Sequence, residues 1–490
     1  MHAKKFLCAL FILQLFFVSC VKNEAAPSGG KSGNESGNDA ETSESAKSDE
    51  YENLPVYQKT YGGAGVDILM GPFAWVETYT PEGLTGEILN DAIYMRNLAV
   101  EEKLDVKLNI IFVNDERHTQ RDDAAPLFTK AVLSGDPIYD IYITSQAVMT
   151  LAARERHLVS YESLPWVDLS RTWWDRKASD SLNFGGKVFF GVNESNFSNL
   201  GMACVILFNK NLFAKEGIPY PYDLVRSGDW TYDEFAKIVR SGSKDLNGDG
   251  AIYIKDDQFG FSGWQWSVGP NLYAAMGASF VEKNSDNIPE LSINSAKSFD
   301  VFEKVIDLFS GGGAYHNNMQ DGDVWLDRDR FAGGYILMTD YRPYYLDYFR
   351  DMADDFGLVP HPKYDRNQNG YRQLVEQVGT FTGVPIICKD LELASAVIES
   401  LAIESQKTVM PQYYETILQT KFTRDGESAD MIDIIAKNRV YNVYLESLGI
   451  MDVFSAMISK GNADLASLYE KREGRAKAEI EKIIENYSLD

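Results

Sequence analysis

Cysteine and histidine are scarce in this chain of 490 residues, which has only four cysteines and five histidines. The histidines are scattered, and the sequence contains no HExxH, GxSxG or phosphate-cradling glycine motif. The motifs therefore give no positive evidence for a metal-dependent hydrolase, a serine hydrolase or a nucleotide-dependent enzyme. A glycoside hydrolase stays open, because two of the 72 acidic residues could pair in space without leaving a sequence pattern.

Basic residues are also in deficit. The chain has 47 lysines and arginines, and its formal net charge is −25. Nucleic acids and anionic lipid surfaces favour basic faces, so this balance argues against both as partners. It leaves neutral ligands open. The length is sufficient for two or three hydrophobic cores.

The first twenty residues are typical of a targeting segment. Lys4 and Lys5 precede a short apolar run at 6–18, which has the size of a signal-peptide core and is too short to span a membrane comfortably. The run ends in Phe17-Val18-Ser19-Cys20, which resembles a bacterial lipobox. We expect residues 1–20 to be a lipoprotein signal peptide and Cys20 to be acylated, which anchors the protein on the extracytoplasmic face of the cell membrane. An ordinary secretory peptide cut nearby is the alternative.

Residues 21–60 are rich in small and polar residues and almost lack large apolar ones. Such a segment cannot bury enough surface to fold. As a flexible coil it would reach roughly 35 Å, so we interpret it as a tether. Of the four cysteines, Cys204 and Cys388 remain in the folded part, where we expect buried free thiols rather than a disulfide.

From residue 61, short apolar runs alternate with helical segments. Residues 66–69, 106–112 and 140–143 are predicted strands, and residues 88–104 and 122–133 are predicted helices. This alternation predicts an α/β fold with a parallel sheet flanked by helices. Ligands bind at the carboxyl ends of the strands in such sheets, so Trp75 and Tyr79 should lie near the binding edge.

Residues 229–240 carry the signals of a helix start. Thr231 and Glu234 have the spacing of a capping box, and Trp230 and Phe235 that of a hydrophobic staple. Residues 232–240 are therefore a predicted amphipathic helix.

A loop that resembles an EF-hand follows this helix. Its oxygen ligands have the spacing of a calcium loop, and Gly250 allows the sharp turn. The loop predicts a structural Ca²⁺ site, with a metal-free turn as the alternative, and no catalytic cofactor is expected. The predicted ligands are Asp245, Asn247, Asp249, Ala251 and Asp256.

Several segments resemble family 1 extracellular solute-binding proteins, the sugar-capturing lipoproteins of bacterial ABC importers. They include ILNDAIYMRNLAVEEKLDVKL, VILFNKNLFAKEGI, DQFGF and DFGLVPHPKYDRNQNGY. The resemblance implies a two-lobed periplasmic-binding-protein-like fold of type II, with lobes at 61–190 plus about 384–425 and at 191–383 plus about 426–490. It also implies two extended crossings between the lobes, where Gly191, Gly379 and Gly383 would allow hinge motion.

The same resemblance implies a function. We expect a monomeric substrate-binding protein that captures a carbohydrate, in particular an oligosaccharide, delivers it to an ABC permease and performs no chemistry. A binding protein for another solute, such as a peptide, and a lipid-anchored glycan-degrading enzyme are the alternatives.

Aromatic and charged side chains in loops and near the start of a helix are the candidate ligand contacts. Trp264 and Trp266 flank Gln265, so two indoles could form one sugar-stacking platform; burial at the base of the lobe is the alternative. A structural ion pair is the alternative for Asp91 and Arg96. The resemblance places a ligand-facing loop at Asp340 and Arg342. The candidates are Trp264, Trp266, Trp75, Tyr79, Asp91, Arg96, Asp340 and Arg342.

Overall fold

The computed structural model describes residues 51–71, 83–112, 124–317, 322–419, 426–442, 450–461 and 464–488. Strands in these residues are rich in β-branched and aromatic side chains and are mostly buried. In chain order they are β1 (Ala64–Met70), β2 (Val106–Phe112), β3 (Ile141–Ser145), β4 (Phe190–Gly191), β5 (Val205–Asn209), β6 (Phe259–Trp264), β7 (Val281–Lys283), β8 (Pro289–Leu291), β9 (Ala314–Asn317), β10 (Ile336–Tyr341), β11 (Phe356–Val359), β12 (Gln373–Leu374), β13 (Thr380–Gly383) and β14 (Arg439–Val440).

Helices separate most of these strands. In chain order they are α1 (Ile88–Leu104), α2 (Ala124–Ser134), α3 (Gln146–Arg154), α4 (Arg176–Leu182), α5 (Ser198–Gly201), α6 (Lys210–Glu216), α7 (Tyr222–Ser227), α8 (Tyr232–Gly242), α9 (Val268–Ala275), α10 (Ala296–Ser310), α11 (Leu326–Ala332), α12 (Leu391–Glu404), α13 (Met410–Gln419), α14 (Gly426–Lys437), α15 (Ile450–Lys460) and α16 (Leu465–Ser488). Short 3₁₀ turns lie at Pro55–Gln58, Tyr161–Ser163, Glu194–Asn196 and Pro343–Phe349, and a π turn lies at Ser405–Val409.

The first sheet contains five strands in the order β2-β1-β3-β13-β4. β1 is parallel to both β2 and β3, as predicted, whereas β13 is antiparallel to β3 and β4. All five residues of β3 are buried, because helices cover both faces of the sheet.

The second sheet has the order β11-β5-β10-β6-β9. β6 is parallel to β9 and β10, whereas β5 is antiparallel to β10 and β11. Two separate sheets with helices around them confirm the predicted α/β class. From Asn53 onward the chain forms one compact unit. Leu54 and Val56 are buried in it, so residues 53–60 of the predicted tether belong to the folded part. The exact lobe boundaries stay a prediction.

Extended segments lie side by side between the two sheets. Ala203 forms an antiparallel bridge with Val375, and β12 pairs in parallel with β14. Two extended crossings were predicted. β14 lies outside both of them, and it was missed because it has only two residues.

Hinge motion was the predicted reason for glycine at the crossings, with ordinary turns as the alternative. None of the three glycines, Gly191, Gly379 and Gly383, has a positive φ, so none adopts a left-handed backbone conformation. A Cβ on Gly379 would lie 2.5 Å from Oδ1 of Asn199, which accepts a hydrogen bond from the Thr380 amide at 2.7 Å. Close packing therefore accounts for glycine at this position, and the predicted hinge motion stays a prediction.

Helix α8 begins where it was predicted, but the capping box is wrong. The Thr231 side chain makes no capping hydrogen bond. Instead the Tyr232 amide donates to the Lys363 carbonyl oxygen at 2.7 Å, so a distant segment satisfies this end of the helix. The staple is confirmed, because the rings of Trp230 and Phe235 meet edge to face at 5.9 Å and both side chains are fully buried.

Other predictions about single elements can be compared directly. α1 and β2 have the predicted bounds. Cys204 and Cys388 are free thiols, as expected; Cys204 is buried and Cys388 is half-buried. In the described residues, every helix is too short or too polar to cross a bilayer.

Candidate functional site

The carboxyl ends of three strands meet at one edge of the second sheet. β6, β9 and β10 are mutually parallel neighbours and end at Trp264, Asn317 and Tyr341. The segments that follow them therefore lie together. This is the edge where α/β sheets bind ligands.

Aromatic rings form a continuous strip at this edge. The Trp264 and Trp325 rings are nearly parallel, with centroids 6.4 Å apart, and the Trp325 ring lies 6.3 Å from that of Tyr348. The strip continues with Tyr345, whose ring centroid lies 6.1 Å from that of Tyr348. It ends at Tyr344, whose ring centroid lies 5.2 Å from that of Tyr345. We call these five residues the aromatic strip.

Two rings of the strip are open to solvent. The exposed fraction is 49% for Trp325 and 54% for Tyr348. The Arg328 guanidinium lies 4.8 Å from one ring centroid and 4.9 Å from the other, and Nε of Arg328 donates to Asp329 at 2.8 Å. The cation fixes both rings, because it is attracted to their negative faces. The result is an open aromatic surface with a guanidinium group close to both of its exposed rings.

Tyr345 is largely covered by its neighbours. Burial raises the pKa of the Tyr345 hydroxyl, despite the opposing effect of nearby Arg342. The hydroxyl is therefore neutral near pH 7 and can both donate and accept a hydrogen bond.

Asp340, a predicted ligand residue, is 4% exposed and lies in a buried network. Its carboxylate accepts hydrogen bonds from Asn271 at 3.0 Å and from Ser267 at 3.2 Å, and it lies 2.8 Å from Nε2 of His361. Nδ1 of His361 lies 3.1 Å from Oε1 of Gln373. The network joins the end of β10 to the junction between the sheets, so Asp340 has a structural role in this arrangement.

Arg342 also contacts the junction. Its guanidinium forms an ion pair with Glu376, which follows β12. The Glu376 amide in turn donates to the Met202 carbonyl oxygen at 3.0 Å. The charge of Arg342 is thus partnered within the fold.

Asp91 and Arg96 face different surroundings, although they lie on one helix. The Asp91 carboxylate accepts hydrogen bonds from the amides of Thr85 and Gly86, and the Thr85 bond contributes most to lowering its pKa. Arg96 is fully buried and contacts Asn97 and Ser405. Both side chains therefore have contacts within the fold, and their predicted ligand contacts stay untested.

Trp264 and Trp266 are both half-buried. Trp264 stacks on Trp325, a residue that the predicted platform did not include. Trp75 and Tyr79 lie outside the described residues, and their predicted contacts stay untested. On the first sheet, the Gln146 amide follows β3 and donates to the carbonyl oxygens of Gln377 and Gly379.

The acidic loop after α8 is closed by its own hydrogen bonds. The Asp245 carboxylate accepts from the amides of Gly248 and Gly250 at 2.6 and 2.8 Å. Asp257 accepts from the amides of Leu246 and Tyr253, each at 2.8 Å. Within the described ranges, no three His, Cys, Asp or Glu side chains converge in a metal-binding cluster. Hydrogen bonds within the loop therefore hold its shape, and the predicted Ca²⁺ site stays a prediction.

Sequence reasoning missed Trp325, Arg328, Tyr345 and Tyr348 as site residues. A signal was present, because Trp325 and Arg328 are three residues apart at the start of α11, a spacing that puts two side chains on one helix face. The pairing with Tyr348 was not readable from the sequence, since it joins segments that follow different strands.

Solved structures of similar fold were found by comparison. The ABC substrate-binding protein Lmo0181 from Listeria monocytogenes, in complex with cycloalternan, is 15% identical, covers 87% of this chain and 100% of its own, and has a TM-score of 0.53. The GacH receptor of Streptomyces glaucescens, solved unliganded and with acarbose, is 14% identical, with coverages of 87% and 97% and a TM-score of 0.51. A cyclo/maltodextrin-binding protein complexed with maltotetraose is 14% identical, with the same coverages and a TM-score of 0.54.

These likenesses establish the fold, which is that of two-lobed substrate-binding proteins. The similarity extends over most of the chain. No protein-family model matches the chain, and no curated protein matches it.

Proposed function

We propose that this chain is the substrate-binding component of an ABC importer and captures an oligosaccharide between its two lobes. The aromatic strip is the observation that carries the proposal. Its open rings, Trp325 and Tyr348, lie at the carboxyl edge of the second sheet. Proteins of similar fold were solved with cycloalternan, acarbose and maltotetraose, which supports a carbohydrate ligand.

The chemistry of the strip suits a sugar. The CH groups on one face of a pyranose carry partial positive charge and pack on the negative faces of aromatic rings. The hydroxyl groups need polar partners at the rim, and Arg328 and the Tyr345 hydroxyl are near enough to the rings to serve. A strip of five successive rings favours a chain of sugar units over a single unit.

Ligand binding shifts the population towards a closed arrangement of the lobes, because a ligand that contacts both lobes favours the closed state. The extended segments at the junction would absorb the motion. The closed protein then docks on a membrane permease and performs no chemistry itself. We infer that it acts as a monomer.

Anchoring to the membrane is a separate part of the proposal. Acylated Cys20 would hold the protein on the outer face of the cell membrane. Residues 21–52 would serve as the tether, because the compact unit begins at Asn53. More than one acyl chain is needed for stable anchoring, which a lipoprotein cysteine provides.

Calcium binding at the loop is also proposed, with a structural role. Asp245, Asn247, Asp249, Ala251 and Asp256 would supply the oxygen ligands. Both Asp245 oxygens accept backbone hydrogen bonds in the loop, and each keeps a lone pair that could coordinate a cation.

Thermal unfolding against a panel of oligosaccharides tests the proposed function. The full chain is purified in a detergent without a sugar headgroup, so that the detergent does not compete. A ligand at a hundred times its Kd stabilises by about 2.7 kcal/mol, enough for a visible rise in the unfolding midpoint. A rise with one group of oligosaccharides supports the proposal. A rise only with peptides, or cleavage of an oligosaccharide, overturns it.

A further inference from the structure

A cavity of about 410 Å³ lies beside the junction of the extended segments, and its lining includes no residue of the aromatic strip. The end of α4, the β7 strand and the segments around β12 and β14 form its wall. The lining includes Phe184, Val281, Glu282, Lys283, Arg372 and Val440. Two cations and one carboxylate thus face this cavity, although the whole chain carries a net charge of −25.

Lys283 is already occupied by backbone acceptors. Its ammonium group donates to the carbonyl oxygens of Asp180 and Asn183, the second at 3.0 Å. Asp180 and Asn183 lie at the carboxyl-terminal end of α4, where a cation is favoured by the helix dipole. Lys283 therefore joins β7 to the end of α4, and Arg372 is the better candidate for binding a ligand.

Arg372 has donors to spare. Its Nε donates to the Ala274 carbonyl oxygen at 3.1 Å, which orients the guanidinium and leaves the two terminal nitrogens for another acceptor. In the described part of the chain, Arg372 forms no ion pair, and Glu282 acts on it only at longer range. Burial lowers the pKa of Arg372, and Glu282 opposes this effect only in part. A half-buried guanidinium whose terminal nitrogens face a cavity can donate charge-assisted hydrogen bonds to an incoming anion.

We propose that this cavity binds a small organic monocarboxylate, with Arg372 as the anchor. A guanidinium offers two parallel N–H groups that match the two oxygens of a carboxylate. Glu282 repels a second negative charge, which disfavours dicarboxylates and phosphate. Phe184, Val281 and Val440 supply an apolar surface for a short hydrocarbon stem.

Calorimetric titration of the full chain with acetate, butyrate, succinate and inorganic phosphate tests this site. We expect butyrate to bind more tightly than acetate, by about tenfold, because two more methylene groups are buried. Succinate and phosphate should bind more weakly than butyrate. If no carboxylate binds, or if phosphate or succinate binds more tightly than butyrate, the proposal is overturned.

Variants locate the binding. Arg372→Gln should weaken butyrate binding by about tenfold or more. Arg366→Gln is the matched control, since Arg366 is exposed and pairs with Asp229 outside the cavity, and it should bind as the parent does. Glu282→Gln should strengthen butyrate binding by about threefold or more, a gain that misfolding cannot produce. Equal affinity in all three variants would place the anion elsewhere and refute the site.

Discussion

Replacing Trp325 by alanine removes the most open indole of the aromatic strip. Aromatic side chains bury about 150–250 Å² when fully covered, and Trp325 is 49% exposed, so roughly 120 Å² of its surface is free for a ligand. If a sugar covers about half of that area, the lost contact amounts to about 1.5 kcal/mol at about 25 cal/mol per Å². This corresponds to an affinity about tenfold weaker.

The assay is calorimetric titration of an oligosaccharide that stabilises the parent protein. Tyr335→Ala is the matched control. Tyr335 resembles Trp325 in exposure and in its arginine contact: it is 40% exposed, and the Arg330 guanidinium lies 3.7 Å from its ring centroid. Tyr335 precedes β10, however, so it lies at the opposite edge of the same sheet. We expect the control to bind within about twofold of the parent. An unchanged affinity in Trp325→Ala, or an equal loss in Tyr335→Ala, would refute the strip as the binding surface.

Four further predictions concern stability, anchoring and metal. Burial raises the pKa of Glu399 to about 7 from an ordinary value of 4.5, although Trp174 and Trp173 donate hydrogen bonds to its carboxylate. Protonation of Glu399 therefore stabilises the folded state, by on the order of 3 kcal/mol, and this contribution is complete below about pH 4.5. It is lost as the pH rises through 7. Glu399→Gln should flatten that part of the pH profile of the unfolding free energy. Asp340→Ala should lower the unfolding free energy by about 2–4 kcal/mol, measured in urea, because its buried donors lose their acceptor. Cys20→Ala should move the folded protein from the membrane fraction to the soluble fraction. Calcium should raise the unfolding midpoint of the parent but not that of Asp245→Ala.

Each of these predictions has its own control. Glu392→Gln changes an exposed carboxylate of the same helix and should leave the pH profile as it is. Asp347→Ala changes an exposed aspartate and should cost less than about 0.5 kcal/mol. Cys8→Ala should leave the protein in membranes. Magnesium serves as the control ion, and equal shifts with both ions, or none, would reject a calcium-selective loop.

Local patterns predicted the first sheet well. α1 and β2 have the predicted bounds because a long helical period switches directly to a run of β-formers at Val106. The staple at Trp230 was also predictable, since it depends on residues close in sequence. β13 pairs with β3 across more than two hundred residues, and its neighbours can be identified only from the folded chain.

The errors arose where distant segments meet. Lys363 satisfies the amide at the start of α8, a contact that the local capping pattern could not reveal. The network of Asp340 could not be read from the sequence either, because His361 and Asn271 lie in distant segments; the predicted ligand contact of Asp340 stays a prediction. The sequence predicted Trp264 as a site residue but not the rest of the aromatic strip, because Trp325 and Tyr348 come from segments that follow different strands.

Direct titration of the full chain with a ladder of oligosaccharides of increasing length tests the central claim most directly. The account predicts saturable binding of one ligand per chain, with affinity that increases over the first few sugar units and then levels off when the aromatic strip is covered. The oligosaccharide should be recovered intact after binding. Absence of binding across the ladder, or recovery of cleaved products, would contradict the account.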